Sequence, residues 1–211
     1  MGTQGTTDVG HDEPAPPRAF APVSQRDRLL DGMARTVSRR GYAATPVAAV
    51  LEAAGVSRRT FYEQFADKED CFLAAYDAFV ALCTERLVAG YHAGGSWEDG
   101  IAGAYEALLT TLAAEPDFAH LGVVDVLAAG PAGAARRDAT LRRFARFIDH
   151  TRERTEADPP PPRSVGQAVV GGIHELVYSR IVRGETAQLP RLRDELLHYT
   201  FMLLGVPRDG A

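Results

Sequence analysis

Apolar residues return at helical spacing along most of this 211-residue chain, and no alternating strand pattern or hairpin signal competes with them. That restricts the fold to packed helices. From Ser24, Leu29, Leu30, Met33 and Val37 keep the period until Arg39-Arg40-Gly41, where glycine closes a first helix. Thr45-Pro46 reads as a cap and first turn of a short second helix through Ala53, ended by Gly55, and Ser57 caps a third through Phe65. Asp67 caps a fourth, whose stripe runs Phe72, Tyr76, Phe79, Cys83 and Leu87.

After the break Ala93-Gly94-Gly95, Ser96 with Asp99 opens a helix to Ala114, and Pro116 starts another through Ala128. Further helices are expected over residues 132–157, then near 164–184 and 189–204, with prolines 159–162 breaking the first from the second. The predicted fold is all-α with about nine helices: a disordered tail over 1–22, a small helical domain over 23–83 and a larger one over 84–207.

Charge is distributed unevenly. The chain as a whole carries −5, yet residues 24 to 65 hold seven arginines against four acids. A positive segment in an acidic chain fits one end of the molecule meeting a polyanion. Lys68 is the single lysine, so arginine richness by itself is discounted as a compositional bias. Two cysteines, Cys71 and Cys83, are too few for a disulfide framework or a zinc site. The N-terminus lacks an apolar signal core and no run approaches the roughly 20 apolar residues of a membrane helix, so a cytoplasmic protein is expected.

Two short helices joined at a glycine, braced before and after, match the helix-turn-helix that delivers its second helix into a DNA major groove. Ala54 is small where the helices approach, Gly55 takes a left-handed turn and Val56 plugs the core. On the third helix Phe61 and Phe65, at i and i+4, anchor one side, while Arg58, Arg59, Tyr62 and Thr60 remain outside.

The stretch RDRLLDGMARTVSRRGYAATPVAAVLEAAGVSRRTFYEQFADKEDCFLAAYD, residues 26 to 77, resembles the DNA-binding domain of the TetR family of bacterial transcriptional regulators. The matching elements are Gly41-Tyr42, Thr45, Ala54-Gly55-Val56-Ser57, Thr60-Phe61-Tyr62, Phe65 and Lys68-Glu69. The resemblance implies phosphate contacts from Thr45, Ser57, Tyr62 and Lys68, with Arg58, Arg59, Thr60 and Glu63 facing bases. Arg59, where the family often has a small residue, is the first choice for a guanine. Leu51 departs from the usual alanine.

No catalytic constellation, cofactor motif or metal site is found. His174-Glu175 lacks the second histidine of a zinc protease, since position 178 is tyrosine. The resemblance further implies that the second half binds an unknown small-molecule effector and dimerises. Val165, Val169, Ile173, Leu176, Leu192, Leu196 and Phe201 form stripes over the last two helices that suit a partner surface, and Gly166, Gly171 and Gly172 would admit close helices. A homodimer then reads palindromic double-stranded DNA.

Trp97, Tyr105, Phe118, Asp125, Phe144, His174 and Tyr178 are effector-pocket candidates by residue type, with core packing the competing reading for each. The reading is a repressor released by a small hydrophobic effector. Its rivals are a helical enzyme or adaptor without DNA function, and an effector-independent DNA-binding factor.

Overall fold

The computed structural model describes residues 18–152, 157 and 160–206. Among them every regular element is helical: α1 Gln25–Arg40, α2 Val47–Ala54, α3 Arg58–Gln64, α4 Lys68–His92, α5 Trp97–Ala114, α6 Pro116–His120, α7 Gly130–Arg152, α8 Val165–Val182 and α9 Arg193–Leu204. Side-chain caps start several of them. Ser24 and Asp27 form a reciprocal capping box at α1, and Ser57, Asp67 and Ser96 each accept the backbone N–H three residues on.

Departures from the predicted elements have local causes. Pro46, without a side-chain bond, is the N-cap of α2, because the Thr45 hydroxyl donates instead to the Gly41 carbonyl at 2.9 Å. The helix expected over 189–204 is split: Thr186–Leu192 is a 3₁₀ turn containing Pro190, which has no N–H for an α-helical bond, and α9 follows it. Between α6 and α7 the chain stays helical but changes winding, as a π turn over Leu121–Asp125 and a 3₁₀ turn over Val126–Ala129. The end of the helix expected through 157 and the start of the proline break fall mainly on 153–156 and 158–159, outside the described residues.

Phe118 of α6, and Leu121 and Val126 of the rewound segment after it, are buried without exposure. The continuous helical run Pro116–Thr151 is, contrary to expectation, long and apolar enough to cross a membrane by length and composition, with a mean hydropathy of 1.4 in its window. Those three side chains are nevertheless spent on the protein's own core.

That core is one continuous cluster: Leu29 and Met33 of α1, Phe72 and Phe79 of α4, Ile101 and Leu109 of α5, Phe118, and the inner sides of α8 and α9. It crosses the domain boundary expected at residue 83, and so does α4 itself. Gly32 is where α1 meets α2, since a Cβ there would lie 3.0 Å from the Cβ and N of Ala54.

The chain before α1 is part of the fold from Arg18 onward. The tail expected over 1–22 lies outside the described residues as far as 17, but its end is held by a buried carboxylate. Glu115, 1% exposed between α5 and α6, accepts from Arg18 Nη2 at 2.8 Å, from Arg18 Nε at 3.2 Å and from the Phe20 N–H at 2.6 Å. Arg18 Nη2 also reaches Asp31 of α1 at 2.6 Å, and the Phe20 ring lies 4.7 Å from Phe118. Removing a partner from a buried charge costs about 3–5 kcal/mol. Arg18 is half exposed, so water recovers part of that. Arg18→Ala is expected to lower unfolding stability by about 2 kcal/mol in urea titration, and the further change Glu115→Gln on that background is expected to restore much of the loss by removing the orphaned charge.

Candidate functional site

At the glycine turn, Gly55 has φ 64° and ψ 39°, the left-handed conformation. Its N–H bonds Leu51 and Glu52 carbonyls at 2.9 and 3.3 Å, and Val56 N–H bonds Leu51 at 3.3 Å. These are the bonds of a Schellman closure, which ends α2 and redirects the chain. Ser57 Oγ then accepts from the Thr60 N–H at 3.1 Å and starts α3.

Phe61 and Phe65 are buried, 5.7 Å apart between ring centroids, and seat α3 on the core. Its other side faces solvent: Arg58, Arg59 and Glu63 are exposed, Thr60 is half-buried, and Tyr62 is 53% exposed with its ring edge-on to Phe61. Arg59 Nε pairs with Glu63 Oε1 at 2.8 Å one turn on, an exposed pair worth about 0.3–0.5 kcal/mol.

Ser57 is exposed beside this surface. Lys68 is half-buried at the start of α4, its Nζ donating to the Tyr42 carbonyl at 3.0 Å and lying 4.2 Å from the Tyr42 ring centroid. Two ammonium hydrogens remain for another acceptor. Thr45 departs from the expected set: it is fully buried and its hydroxyl is spent inside the α1–α2 turn, so its side chain is withdrawn from solvent.

In the body of the molecule the seven candidate pocket residues are not brought together. Phe144 and His174 line one apolar slot of about 110 Å³ between α4, α5, α7 and α8, with Tyr76, Phe79, Leu141 and Val170 among its other walls. Burial, and then the neighbouring Arg137, hold His174 below the usual histidine range, so it is neutral at pH 7. Burial also pushes the Cys83 thiol in the slot wall up to about 12, which leaves it protonated and unreactive.

The other five lie outside the slot, and four of them are structural. Tyr105 hydrogen-bonds Thr200 at 2.7 Å between hydroxyls, Trp97 packs against Phe201 at 5.7 Å, and Phe118 lies between Phe20 and Phe79. Asp125 pairs with His120 at 2.7 Å, and Tyr178 is exposed on α8 outside the slot. Tyr76, Phe79 and Leu141 escaped sequence reasoning because they follow the same helical stripe as core residues. Among the described residues no group of three or more His, Cys, Asp or Glu is placed to hold a metal ion.

On α8 and α9, most of the residues expected at a partner surface are core: Val165, Val169, Leu192, Leu196 and Phe201 are all buried. The exposed apolar side chains there are others, Tyr178, Val182, Tyr199, Met202 and Leu203, and Ile173 and Leu176 line the groove between the two helices. Gly166 is used within the chain, because a Cβ on it would lie 2.4 Å from the Ala145 carbonyl of α7, whereas Gly171 and Gly172 have open space around them.

Residues 29–75 match the family described as bacterial regulatory proteins, tetR family. No curated protein matches the chain. Among solved structures, the fatty acid degradation regulator FadR from Bacillus halodurans is similar over 87% of this chain and 96% of its own, with 17% identity and a TM-score of 0.76. The transcriptional regulator FadR from Bacillus subtilis, solved in complex with stearoyl-CoA, is similar over 85% and 98%, with 15% identity and a TM-score of 0.69. A TetR-like transcriptional regulator from Rhodococcus sp. RHA1 gives 84% and 96%, with 19% identity and a TM-score of 0.69. At these identities the likeness establishes a common fold.

The turn geometry is open to a stability test. Gly55→Ala meets no neighbour within 4 Å but inherits the positive φ, and is expected to lose about 1–2 kcal/mol in urea unfolding. Ser57→Ala, losing only the α3 cap, is expected to lose about 1 kcal/mol.

Proposed function

We propose, from the match of residues 29–75 to the bacterial regulatory proteins of the tetR family, that this chain is a cytoplasmic repressor, binding a palindromic operator as a homodimer and released by a small apolar effector. The observation that carries the DNA reading is the α3 surface: Arg58, Arg59 and Tyr62 lie exposed on a short helix whose opposite side is locked into the core by Phe61. A rigid helix with arginines projecting from it suits the major groove, where an arginine donates two bonds to guanine O6 and N7. Ser57, Tyr62 and Lys68 are the proposed phosphate contacts, and Thr60 and Glu63 flank the base-reading arginines. Thr45 contributes through the turn it holds.

Support for a dimer comes from α8 and α9. Met202, 59% exposed, lines a groove with Tyr199, Leu203, Ile173 and Leu176, Val182 and Tyr178 are exposed elsewhere on α8, and a second copy would bury the apolar groups of the groove. The open space at Gly171 and Gly172 allows close approach there. The apolar slot at Phe144 and His174 is the proposed effector site. The stearoyl-CoA held by the Bacillus subtilis relative supports an apolar effector at this fold.

Binding of the chain's own upstream DNA, followed by fluorescence anisotropy at fixed salt, tests the proposal. Arg58→Ala and Arg59→Ala are each expected to weaken specific binding by about tenfold to a hundredfold, following the 1–3 kcal/mol of a bidentate contact. Equal affinity of wild type and the double variant for every duplex would return the chain to a helical protein without sequence-reading function. Met202→Glu with Leu203→Glu is expected to give a monomer in analytical ultracentrifugation and to abolish two-site operator binding, because buried unpaired carboxylates oppose the interface.

A further inference from the structure

Two voids lie against α7 and α8, and they share a wall. One is the apolar slot of about 110 Å³ that holds Phe144 and His174. The other is a solvent-facing cleft of about 680 Å³ between α7 and the start of α8, into which Arg137, Arg142, Arg146 and Arg163 project alongside Asp138 and Asp149. Arg137, Leu141 and Val170 line both.

The carboxylates in the cleft are engaged. Asp149 Oδ1 accepts the Gly166 N–H at 3.1 Å, and Asp138 pairs with Arg142 at 2.9 Å. Among the described residues Arg137, Arg146 and Arg163 have no ion pair. Four arginines against two aspartates leave the cleft net positive in a chain that is net negative. Arg137 is half-buried at the junction, which distinguishes it from a solvated surface arginine.

We propose that the two voids form one site for an amphipathic anion, with a short apolar group in the slot and a phosphate-bearing head in the arginine cleft. The inference rests on the effector reading of the slot and specifies its ligand class. Three guanidiniums within one cleft match the several oxygens of a phosphate or pyrophosphate, which accept paired N–H bonds. The slot sets the size of the other end. An apolar cavity of about 150 Å³ accommodates a benzene, so this one takes about four or five carbon atoms. A short-chain acyl thioester of coenzyme A has both parts, as does a short alkyl phosphate, and a stearoyl chain exceeds the slot.

Isothermal calorimetry on the full chain, without DNA, tests this. Butyryl-CoA and butyl phosphate separate the two sources of the phosphate; free coenzyme A, butyrate and stearoyl-CoA are the controls. Butyryl-CoA, butyl phosphate or both are expected to bind at least tenfold more tightly than butyrate. Where the coenzyme A thioester is the ligand, butyryl-CoA is expected to exceed free coenzyme A and stearoyl-CoA by the same margin. Arg146→Ala with Arg163→Ala is expected to weaken binding at least tenfold and leave circular dichroism unchanged. Should that variant not fold, the wild-type affinity is expected to fall at least threefold between low and 0.2 M salt, on the order of the screening of a partly exposed ion pair.

Leu141→Trp, which fills the slot, is expected to reduce butyryl-CoA to the affinity of coenzyme A alone. Tighter binding of stearoyl-CoA, measurable and equal binding of coenzyme A and butyryl-CoA, salt-independent affinity, or no binding of either phosphate ligand overturns the proposal. If butyrate binds the slot as tightly as either phosphate ligand, the head-group site falls and the effector reading survives. Because the assay contains no DNA, failure of operator binding leaves its result readable.

Discussion

A buried carboxylate at the joint between α5 and α6 organises the relation between the two ends of this molecule. Glu115 is inaccessible to water, and an ionised group in that position needs opposite charge and hydrogen bonds. It obtains them from the chain preceding α1, through Arg18 and the Phe20 N–H, and Arg18 passes the connection to Asp31 on α1. Asp31 is in turn held by Arg35, one turn further along the same helix, at 3.0 Å. Ser38 near the end of α1 bonds Asp117 of α6. α1 is thus tied to the body at Asp31 and at Ser38, and Leu29 and Met33, on either side of Asp31, are core.

This attachment gives the slot a short mechanical route to α3. Gly122 and Val123, in the π turn following α6, form part of the slot wall, and the segment is tied back at Asp125 to His120. A π turn carries an extra residue per turn and is a place where a helix can rewind locally. The π turn continues directly from α6, and the Asp117 and Glu115 contacts to α1 lie at the start of that helix. Gly32 on α1 has no clearance from Ala54 on α2, so α2 must follow α1, and α3 follows α2 through the Gly55 closure. For the effector release proposed above, this chain of contacts supplies the path, and packed elements sliding as bodies would be the motion it suits.

The helical class and most of the helix starts were legible from sequence because their causes are local. Ser57, Asp67 and Ser96 each cap within three residues, and Gly55 supplies its own backbone conformation. The exposed side of α3 was legible for the same reason, since Phe61 and Phe65 define the buried side by spacing alone. What stayed hidden depends on distant partners. Thr45 looks like a helix cap in sequence, but the carbonyl of Gly41 captures its hydroxyl. Trp97 and Tyr105 have the chemistry of pocket residues, yet Phe201 and Thr200, about a hundred residues away, claim them as packing. The stripe on α8 and α9 faces inward, because apolar period identifies a buried side without saying whether the chain itself or another copy does the burying.

Arginine is abundant enough in this chain that its presence carries little information, and the structure sorts its arginines by what they are attached to. Arg18, Arg35 and Arg136 are spent on carboxylates across the fold or along a helix. Arg58 and Arg59 project from α3 in the segment with surplus positive charge, where a long-range field draws a polyanion. The remainder of the chain is acidic and would repel the same polyanion, which favours approach by the α3 end. The arginine cleft of α7 and α8 reverses the sign locally within that acidic body. Its positive charge is confined to a concave site of about 680 Å³, whereas the α3 arginines stand on an open convex helix, so the two proposed anions, a compact phosphate and a duplex, call for differently shaped surfaces.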